Sequence, residues 1–357
     1  MVAIRAIAFI VSLAMLVSCA PSATPTAAPT STSAPAPTVP PKPAGVPTPT
    51  AAPAKPVATE KVTLVLDWFP NTNHTGLYVA GAKGWFADEG IEIEIQQPSD
   101  PSASMKLVGA NNAEFGISYQ PAVEIARAQD VPVVSIAALL QHNTAAYTAK
   151  SAKSVKRPKD FEGRKFGTSG LAQIEPTLRT VMACDNGDFT KVEMVNVGQR
   201  LSPSLLADQV DVISMLPAWE GVDLELKGNK LDFLPQRDWC VPDLYTIVFI
   251  SSEKTLAAKP EVARRFLSAV AKGYEYAAAN PVEAAEILMK AAPDLDRELV
   301  KRSQAILSTQ YKADAPRWGV QTAERWQKHA EWMLQNKLIA KPIDIARAFT
   351  NDYLPKS

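Results

Sequence analysis

Isoleucines at 91, 93 and 95 alternate with Glu92, Glu94 and Gln96, the two-residue period of a strand with one buried face. Upstream, Val62 to Asp67 is a β-branched and aliphatic run. It gives way to Trp68-Phe69-Pro70-Asn71 and then to a helical pattern from about Thr72 to Lys83, which Gly84 ends. Downstream the pattern predicts a helix from Ser102 to Val108 and a short strand from Phe115 to Ser118. A helix from Pro121 to Gln129 and a buried strand from Val131 to Leu140 follow. Strands and helices alternate, as in an α/β lobe.

A second cycle opens with the turn chemistry of Pro158 to Gly163 and a strand from Arg164 to Gly167. Thr168-Ser169-Gly170 leads into a helix from about Ile174 to Ala183, and Lys191 to Val197, Pro203 to Asp208 and Val210 to Met215 complete a smaller α/β lobe. Tyr245 to Ser251 is again an apolar strand, read as the chain crossing back. After it Val262, Phe266, Val270 and Tyr274 recur at helical steps, and Pro281, Pro293 and Pro316 punctuate a helical C-terminal third expected to pack on the first lobe. The predicted organisation is two-lobed, each lobe a mainly parallel sheet flanked by helices, with a hinge between. The first lobe takes residues 60–148 and 246–357 and the second 149–245. No solenoid-type repeat is present.

The ends of the chain change this picture. After Arg5, the uncharged run from Ala6 to Val17 is too short to span a membrane stably and reads as a signal peptide over residues 1–18. Leu16-Val17-Ser18-Cys19 has the pattern of a bacterial lipoprotein signal, with Cys19 the acylated anchor. Residues 19–59 are dominated by Pro, Ala, Thr and Ser, with Lys42 and Lys55 their charges; such a tract cannot bury enough apolar surface to offset its ordering entropy. It reads as a disordered, proline-stiffened stalk. The expected location is therefore the extracytoplasmic face of the cell membrane, reached by a lipid anchor alone. The 37 basic and 37 acidic residues cancel, without a basic block, which speaks against nucleic acid as a partner. Three scattered histidines (74, 142, 329) and the absence of CxxC and HExxH patterns argue against a metal site. Cys184 and Cys240 are expected to be two free buried thiols, with a disulfide the alternative.

The most informative stretch is Leu66-Asp67-Trp68-Phe69-Pro70-Asn71-Thr72-Asn73-His74-Thr75-Gly76-Leu77-Tyr78-Val79-Ala80, followed by Gly84-Trp85-Phe86 and Gly90. With Tyr119-Gln120-Pro121 and Val241-Pro242-Asp243-Leu244-Tyr245, it resembles the periplasmic binding proteins that deliver vitamin precursors, the group related to fungal thiamine-pyrimidine synthases. The resemblance covers essentially all of residues 60 to 340. It implies the type II periplasmic binding protein fold, a small flat heteroaromatic ligand held between the lobes, an ABC permease with its cytoplasmic ATPase as partner, and a monomer.

The residues agree with that implication. In α/β sheets ligands bind beyond the carboxyl ends of the strands, where Asp67, Trp68 and Asn71 sit. Trp68 offers a flat face, or a core anchor; Asp67 offers an acceptor, or a helix cap; Asn71 offers an amide. His74 on the following helix reads as a packing or orienting group that could also touch ligand. Tyr119 and Gln141 with His142 also lie at strand ends. In the second lobe Ser169 can present a hydroxyl, Glu175 opens a helix, Trp219-Glu220 forms a wall, and Tyr245 marks the crossover. Trp219 is expected to sandwich a ring against Trp68.

Enzyme readings find little support. Gly167-Thr168-Ser169-Gly170-Leu171 is not GxSxG, the phosphate-cradling glycine motifs are absent, and the cysteine-rich run that supports an iron site in the fungal relatives is missing. The chain is expected to use no cofactor and to carry a vitamin as cargo. The wide Trp219 face and the resemblance to lipoprotein members serving riboflavin uptake favour riboflavin. A thiamine pyrimidine precursor, a formylaminopyrimidine, is the alternative, and a non-transport extracellular sensor module is the alternative of another class.

Overall fold

The computed structural model describes residues 59–356 except 101, 171, 172 and 199. The expected signal peptide, Cys19 and all of the stalk but Thr59 lie outside the described residues. The first sheet contains β1 (Glu60–Val65), β2 (Ile91–Gln96), β3 (Phe115–Ser118) and β4 (Val133–Ala138). The second contains β5 (Ala146–Lys150), β6 (Lys165–Thr168), β7 (Glu193–Asn196), β8 (Val212–Met215) and β9 (Leu231–Pro235), and β10 (Val248–Ser252) returns to the first.

Strand order is β2-β1-β3-β10-β4 in the first sheet and β7-β6-β8-β5-β9 in the second. The alternation at residues 91–96 is realised as parallel pairing with β1, which sets Val62 beside Ile93 and Leu64 beside Ile95. In each sheet the reversed strand is the one that has just crossed from the other lobe. β10 runs antiparallel to β3 and β4, and β5 antiparallel to β8 and β9. The fold is thus the expected two-lobed α/β arrangement, but each sheet is mixed where a mainly parallel one was expected, because the strand entering from the other lobe runs against its neighbours. Neither β5 nor β9 is signalled by the hydrophobic pattern, and the second sheet begins at Ala146, ahead of residue 149.

Helices α1 (Thr75–Ala82), α2 (Trp85–Asp88), α3 (Ala103–Gly109) and α4 (Gln120–Ala128) link the first strands; α5 (Ile174–Cys184), α6 (Leu201–Leu206) and α7 (Val222–Leu226) serve the second lobe. The C-terminal part holds α8 (Glu253–Ala258), α9 (Pro260–Ala279), α10 (Pro281–Ala291), α11 (Arg297–Leu307), α12 (Ala323–Gln335) and α13 (Ile345–Ala348). The buried stripe Phe266, Val270 and Tyr274 of α9 packs on the first-lobe core, as its spacing predicts. A glycine contact lets α1 and α9 meet: a Cβ on Gly273 would stand 2.0 Å from the Gly76 carbonyl oxygen.

The other C-terminal helices also pack on the first lobe, through Leu256 of α8, Ala284 of α10, Leu307 of α11, Trp326 of α12 and Ala348 of α13, but three of them reach beyond it. Leu299 and Val300 of α11, with Leu288 and Met289 of α10, cluster around Trp219. Trp332 and Met333 of α12 enter the second-lobe core beside Phe161, Phe166 and Leu178. Two segments, residues 139–145 and 236–247, carry the chain between lobes and are bonded to each other. Leu139 N–H donates to the Ile247 carbonyl (2.9 Å) and Gln236 N–H to the Ala145 carbonyl (3.0 Å).

Candidate functional site

The motif after β1 is held from behind before it can hold anything itself. Asn71 caps the 3₁₀ turn Thr72–His74: its Oδ1 accepts from Asn73 N–H (2.8 Å), while its amide donates to the Phe69 carbonyl (2.9 Å). Tyr274 and Tyr311 donate to the carbonyls of Asn73 and Thr72 (2.7 and 2.6 Å), and Thr72 Oγ1 lies 2.5 Å from Ser303 Oγ. The cap expected at Asp67 therefore falls on Asn71, whose side-chain amide is spent on the chain itself.

Asp67 instead joins a buried relay. Asn71 N–H donates to His74 Nδ1 (3.3 Å), which puts the ring proton on Nε2, from where it donates to Asp67 Oδ1 (2.8 Å). Tyr119 donates its hydroxyl to Asp67 Oδ2 (2.7 Å). Burial opposes ionisation of Asp67, but the hydrogen bonds from His74 and Tyr119 outweigh it and hold the carboxyl below its ordinary range. Burial, and then the neighbouring Asp67 charge, push the Tyr119 hydroxyl well above the usual tyrosine value. Because Tyr119 must donate to Asp67, its oxygen can offer other partners lone pairs alone.

Tyr119 stands at the edge of a cavity of about 320 Å³ formed mainly by the carboxyl ends of β6 and β8 and by the two crossing segments. Its apolar walls include Phe166, Ile174, Leu201, Met215 and Leu216; its polar lining includes Ser169, Gln173, Ser214, Glu220, Gln236 and Thr246. Glu220 Oε2 accepts from Leu216 N–H (3.0 Å), and Oε1 has no hydrogen-bond partner among the described residues. Burial raises the Glu220 carboxyl above its ordinary value, a backbone hydrogen bond from Leu216 pulls against this, and Asp223 adds to the rise. Among the described lining residues there is no Lys, Arg or His.

Of the residues singled out from sequence, this cavity brings together Tyr119, Ser169 and Glu220, with Asp67 and His74 behind Tyr119. Trp68 is 36% exposed, has its ring centroid 4.1 Å from that of Phe69, and is not among the residues that line the cavity. Trp219 does not sandwich a ring against it. Its segment, the π-helical turn Pro217–Gly221, carries the indole into the cluster with α10 and α11, 6.1 Å from Phe69. Gln141 donates to the Val320 carbonyl (3.3 Å) and accepts from Arg325 through its own carbonyl. The neighbouring His142 sits between Asp243 (2.6 Å) and Asp314 (2.8 Å). Glu175 is exposed and pairs with Arg179 one turn on (2.7 Å). Tyr245 is buried beneath the Arg325 guanidinium, 4.6 Å from its ring, and accepts from Thr322 N–H (2.8 Å). Cys184 and Cys240, expected as free thiols, form a disulfide with their Cα atoms 5.9 Å apart.

Sequence reasoning missed Tyr147, Phe166, Ser214, Gln236 and Thr246 as lining residues. Tyr147 lies on the unanticipated β5; its ring meets Phe161 and Phe166 edge-on (5.4 and 5.8 Å), and its buried hydroxyl has no partner among the described residues. Alternation of Tyr147 with buried Ala146 and Thr148 gives no periodic signal, because β5 is covered on both faces. Ser214 sits at the end of β8, a predicted strand, so the strand-end rule alone would have found it.

The NMT1/THI5-like family model matches residues 71–284. A protein of Halalkalibacterium halodurans named formylaminopyrimidine-binding protein is 31% identical over 82% of this chain and 91% of its own length. The riboflavin-binding protein RibY of Chloroflexus aurantiacus is 26% identical over 83% and 86%. Among solved structures, the aliphatic sulphonate binding protein SsuA of Escherichia coli superposes with a TM-score of 0.66 at 12% identity, covering 83% of this chain and 99% of its own. At that identity the likeness speaks for the fold alone.

Proposed function

The chain belongs to the NMT1/THI5-like family, whose members similar to it include a formylaminopyrimidine-binding protein and pyrimidine phosphate synthases; we propose that it serves as the substrate-binding protein of an ABC importer and that its cargo is a thiamine pyrimidine precursor of formylaminopyrimidine type. The observation that carries this reading is the chemistry of the cavity: one buried carboxyl of raised pKa, a tyrosine oxygen limited to accepting, and no cation among the described lining residues. A carboxyl and an aminopyrimidine edge that share one proton make two hydrogen bonds, one between a carboxyl oxygen and a ring nitrogen and one in which the other oxygen accepts from the amino group. Tyr119 accepts from the second amino proton or a side-arm N–H. An anionic ligand such as a sulfonate would meet a carboxyl and no counter-charge, a costly burial.

Riboflavin, the sequence-based expectation, rested on a broad stacking face at Trp219 and on the resemblance to lipoproteins serving riboflavin uptake; the indole is packed among helices. A cavity of about 320 Å³ also lies at the small end of ligand pockets, which suits one substituted ring better than a tricycle bearing a polyol chain. The higher identity to the formylaminopyrimidine-binding relative points the same way. In this reading the protein hands its cargo to an ABC permease driven by a cytoplasmic ATPase, and Cys19 anchors it by lipid to the extracytoplasmic face of the membrane.

Calorimetric titration with formylaminopyrimidine, riboflavin and an aliphatic sulfonate tests the ligand. The pyrimidine is expected to bind and the sulfonate not, and Glu220→Gln is expected to weaken the pyrimidine by about tenfold or more, since each decade is about 1.4 kcal/mol. Tight riboflavin binding with none of the pyrimidine would overturn the reading.

A further inference from the structure

A hydrogen-bond relay that starts on backbone ends on a lining hydroxyl of the cavity. Ala145 N–H in the first crossing segment donates to Asn143 Oδ1 (3.0 Å), which turns the Asn143 amide nitrogen to Gln236 Oε1 (3.5 Å). Gln236, whose own N–H is tied to the Ala145 carbonyl (3.0 Å), in turn donates through Nε2 to Ser214 Oγ (2.8 Å). Each amide is oriented by the one before it, so Ser214 accepts where a serine could equally have donated. Its hydroxyl proton has no acceptor among the described residues, and the half-buried side chain lines the cavity, where a ligand can reach it. Other lining hydroxyls are committed as donors within the protein: Tyr119 to Asp67 (2.7 Å), Thr177 to the Gln173 carbonyl (2.7 Å) and Thr246 to the His142 carbonyl (2.8 Å). The Tyr147 hydroxyl is inaccessible. Ser169 and the Gln173 amide also line the cavity, but no side-chain hydrogen bond among the described residues fixes either, so a contact from them must first order the side chain.

Resting on the reading of this cavity as a pyrimidine site, we propose that Ser214 is a specificity-determining residue, aimed by Gln236, that donates its hydroxyl to the carbonyl oxygen of the ligand's acylamino arm. Glu220 matches a ring nitrogen and the amino group, and Tyr119 accepts from an N–H, so the acyl oxygen needs a donor from elsewhere in the lining. A neutral hydroxyl supplies it without a counter-charge, in keeping with a lining that offers no cation among the described residues. Gln236 acts as a positioning residue, because a donor already oriented loses less freedom when the ligand arrives. The site thereby favours acylated over free amines: the ammonium of a deacylated arm has no lone pair to accept with and confronts a donor instead.

The test compares wild type, Ser214→Ala and Gln236→Glu by calorimetry with formylaminopyrimidine and with its deformylated amine, alongside thermal unfolding without ligand. Wild type is expected to prefer the formylated compound. Ser214→Ala should weaken that compound about tenfold and leave the amine unchanged. Gln236→Glu keeps the side-chain length but turns the relay round: a carboxylate accepts from Ser214 and draws its proton away from the ligand, so the formylated compound should again lose about tenfold. Unchanged affinity of Ser214→Ala for the formylated compound would overturn the assignment and leave the pyrimidine reading standing. Equal losses for both compounds in Ser214→Ala would also overturn it, as the mark of a contact with the ring or, where the unfolding temperature falls as well, of a structural effect. Wild-type binding by Gln236→Glu would overturn the relay. Failure of wild type to bind either pyrimidine would overturn the pyrimidine reading, and the assignment with it.

Discussion

Asp67 illustrates how one side chain can be fixed by its neighbours before any ligand is present. Its two oxygens accept from His74 and Tyr119, and the His74 tautomer is itself set by Asn71 N–H. The motif residues thus act as a relay that aims Tyr119, and Asp67→Asn would present an amide N–H to one of two donors. Loss of about 1.5–3 kcal/mol is expected, the range for hydrogen bonds to a charged group. Because the Asp67 carboxyl is depressed in the folded state, the stability it supplies is complete above the unfolded value near pH 4 and is lost as pH falls through the folded value. Chemical denaturation of wild type and Asp67→Asn from neutral to acid pH checks this: the gap between them should narrow below about pH 4. A gap independent of pH would show that shape, not charge, is what the substitution removes.

Among elements, α5 and the second crossing segment are joined covalently. Cys184 ends α5 and Cys240 precedes the return to the first lobe, 56 residues away. Closing a loop of that length restricts the unfolded chain by about 4 kcal/mol in the chain-entropy model. Cys184→Ser with Cys240→Ser should therefore lower stability by about 2–4 kcal/mol, read as a shift in denaturation midpoint that wild type reproduces under reductant. Reductant that leaves the wild-type midpoint unmoved would count against the bond. The spacing of the cysteines could not announce the pairing, because it depends on where β9 and the following segment carry Cys240. β9 has no strong period of its own: Asp232 and Phe233 are both half-buried on a sheet edge. Strands with clear periods, such as β2 and β10, were legible because burial on one face or on both is written directly in side-chain type.

At the scale of the molecule, α12 ties the lobes together. Trp326 packs in a first-lobe cluster with Val65 and Tyr245, whereas Trp332 lies in the second-lobe core and donates to Thr180 Oγ1 (3.3 Å). Between them His329 meets the buried Glu124 of α4 (2.7 Å). Trp219 makes a second tie by packing on α10 and α11. How the whole protein is held at a membrane is proposed from sequence: Cys19→Ala should move the protein from the membrane fraction to the soluble one, and continued detergent-dependent partitioning would defeat the lipoprotein reading. Apart from β5 and β9, the order of the main strands and helices, the two α/β lobes and the family motif were determined by sequence alone, because periodicity and turn chemistry act over a few residues. Which strand ends share one cavity was decided by tertiary structure. Tyr119 reaches Asp67 across 52 residues, Trp219 turns into helices from the far end of the chain, and Tyr147 rises on a strand with no period. Side-chain type reports that a residue will be buried; what it is buried against depends on how distant elements pack.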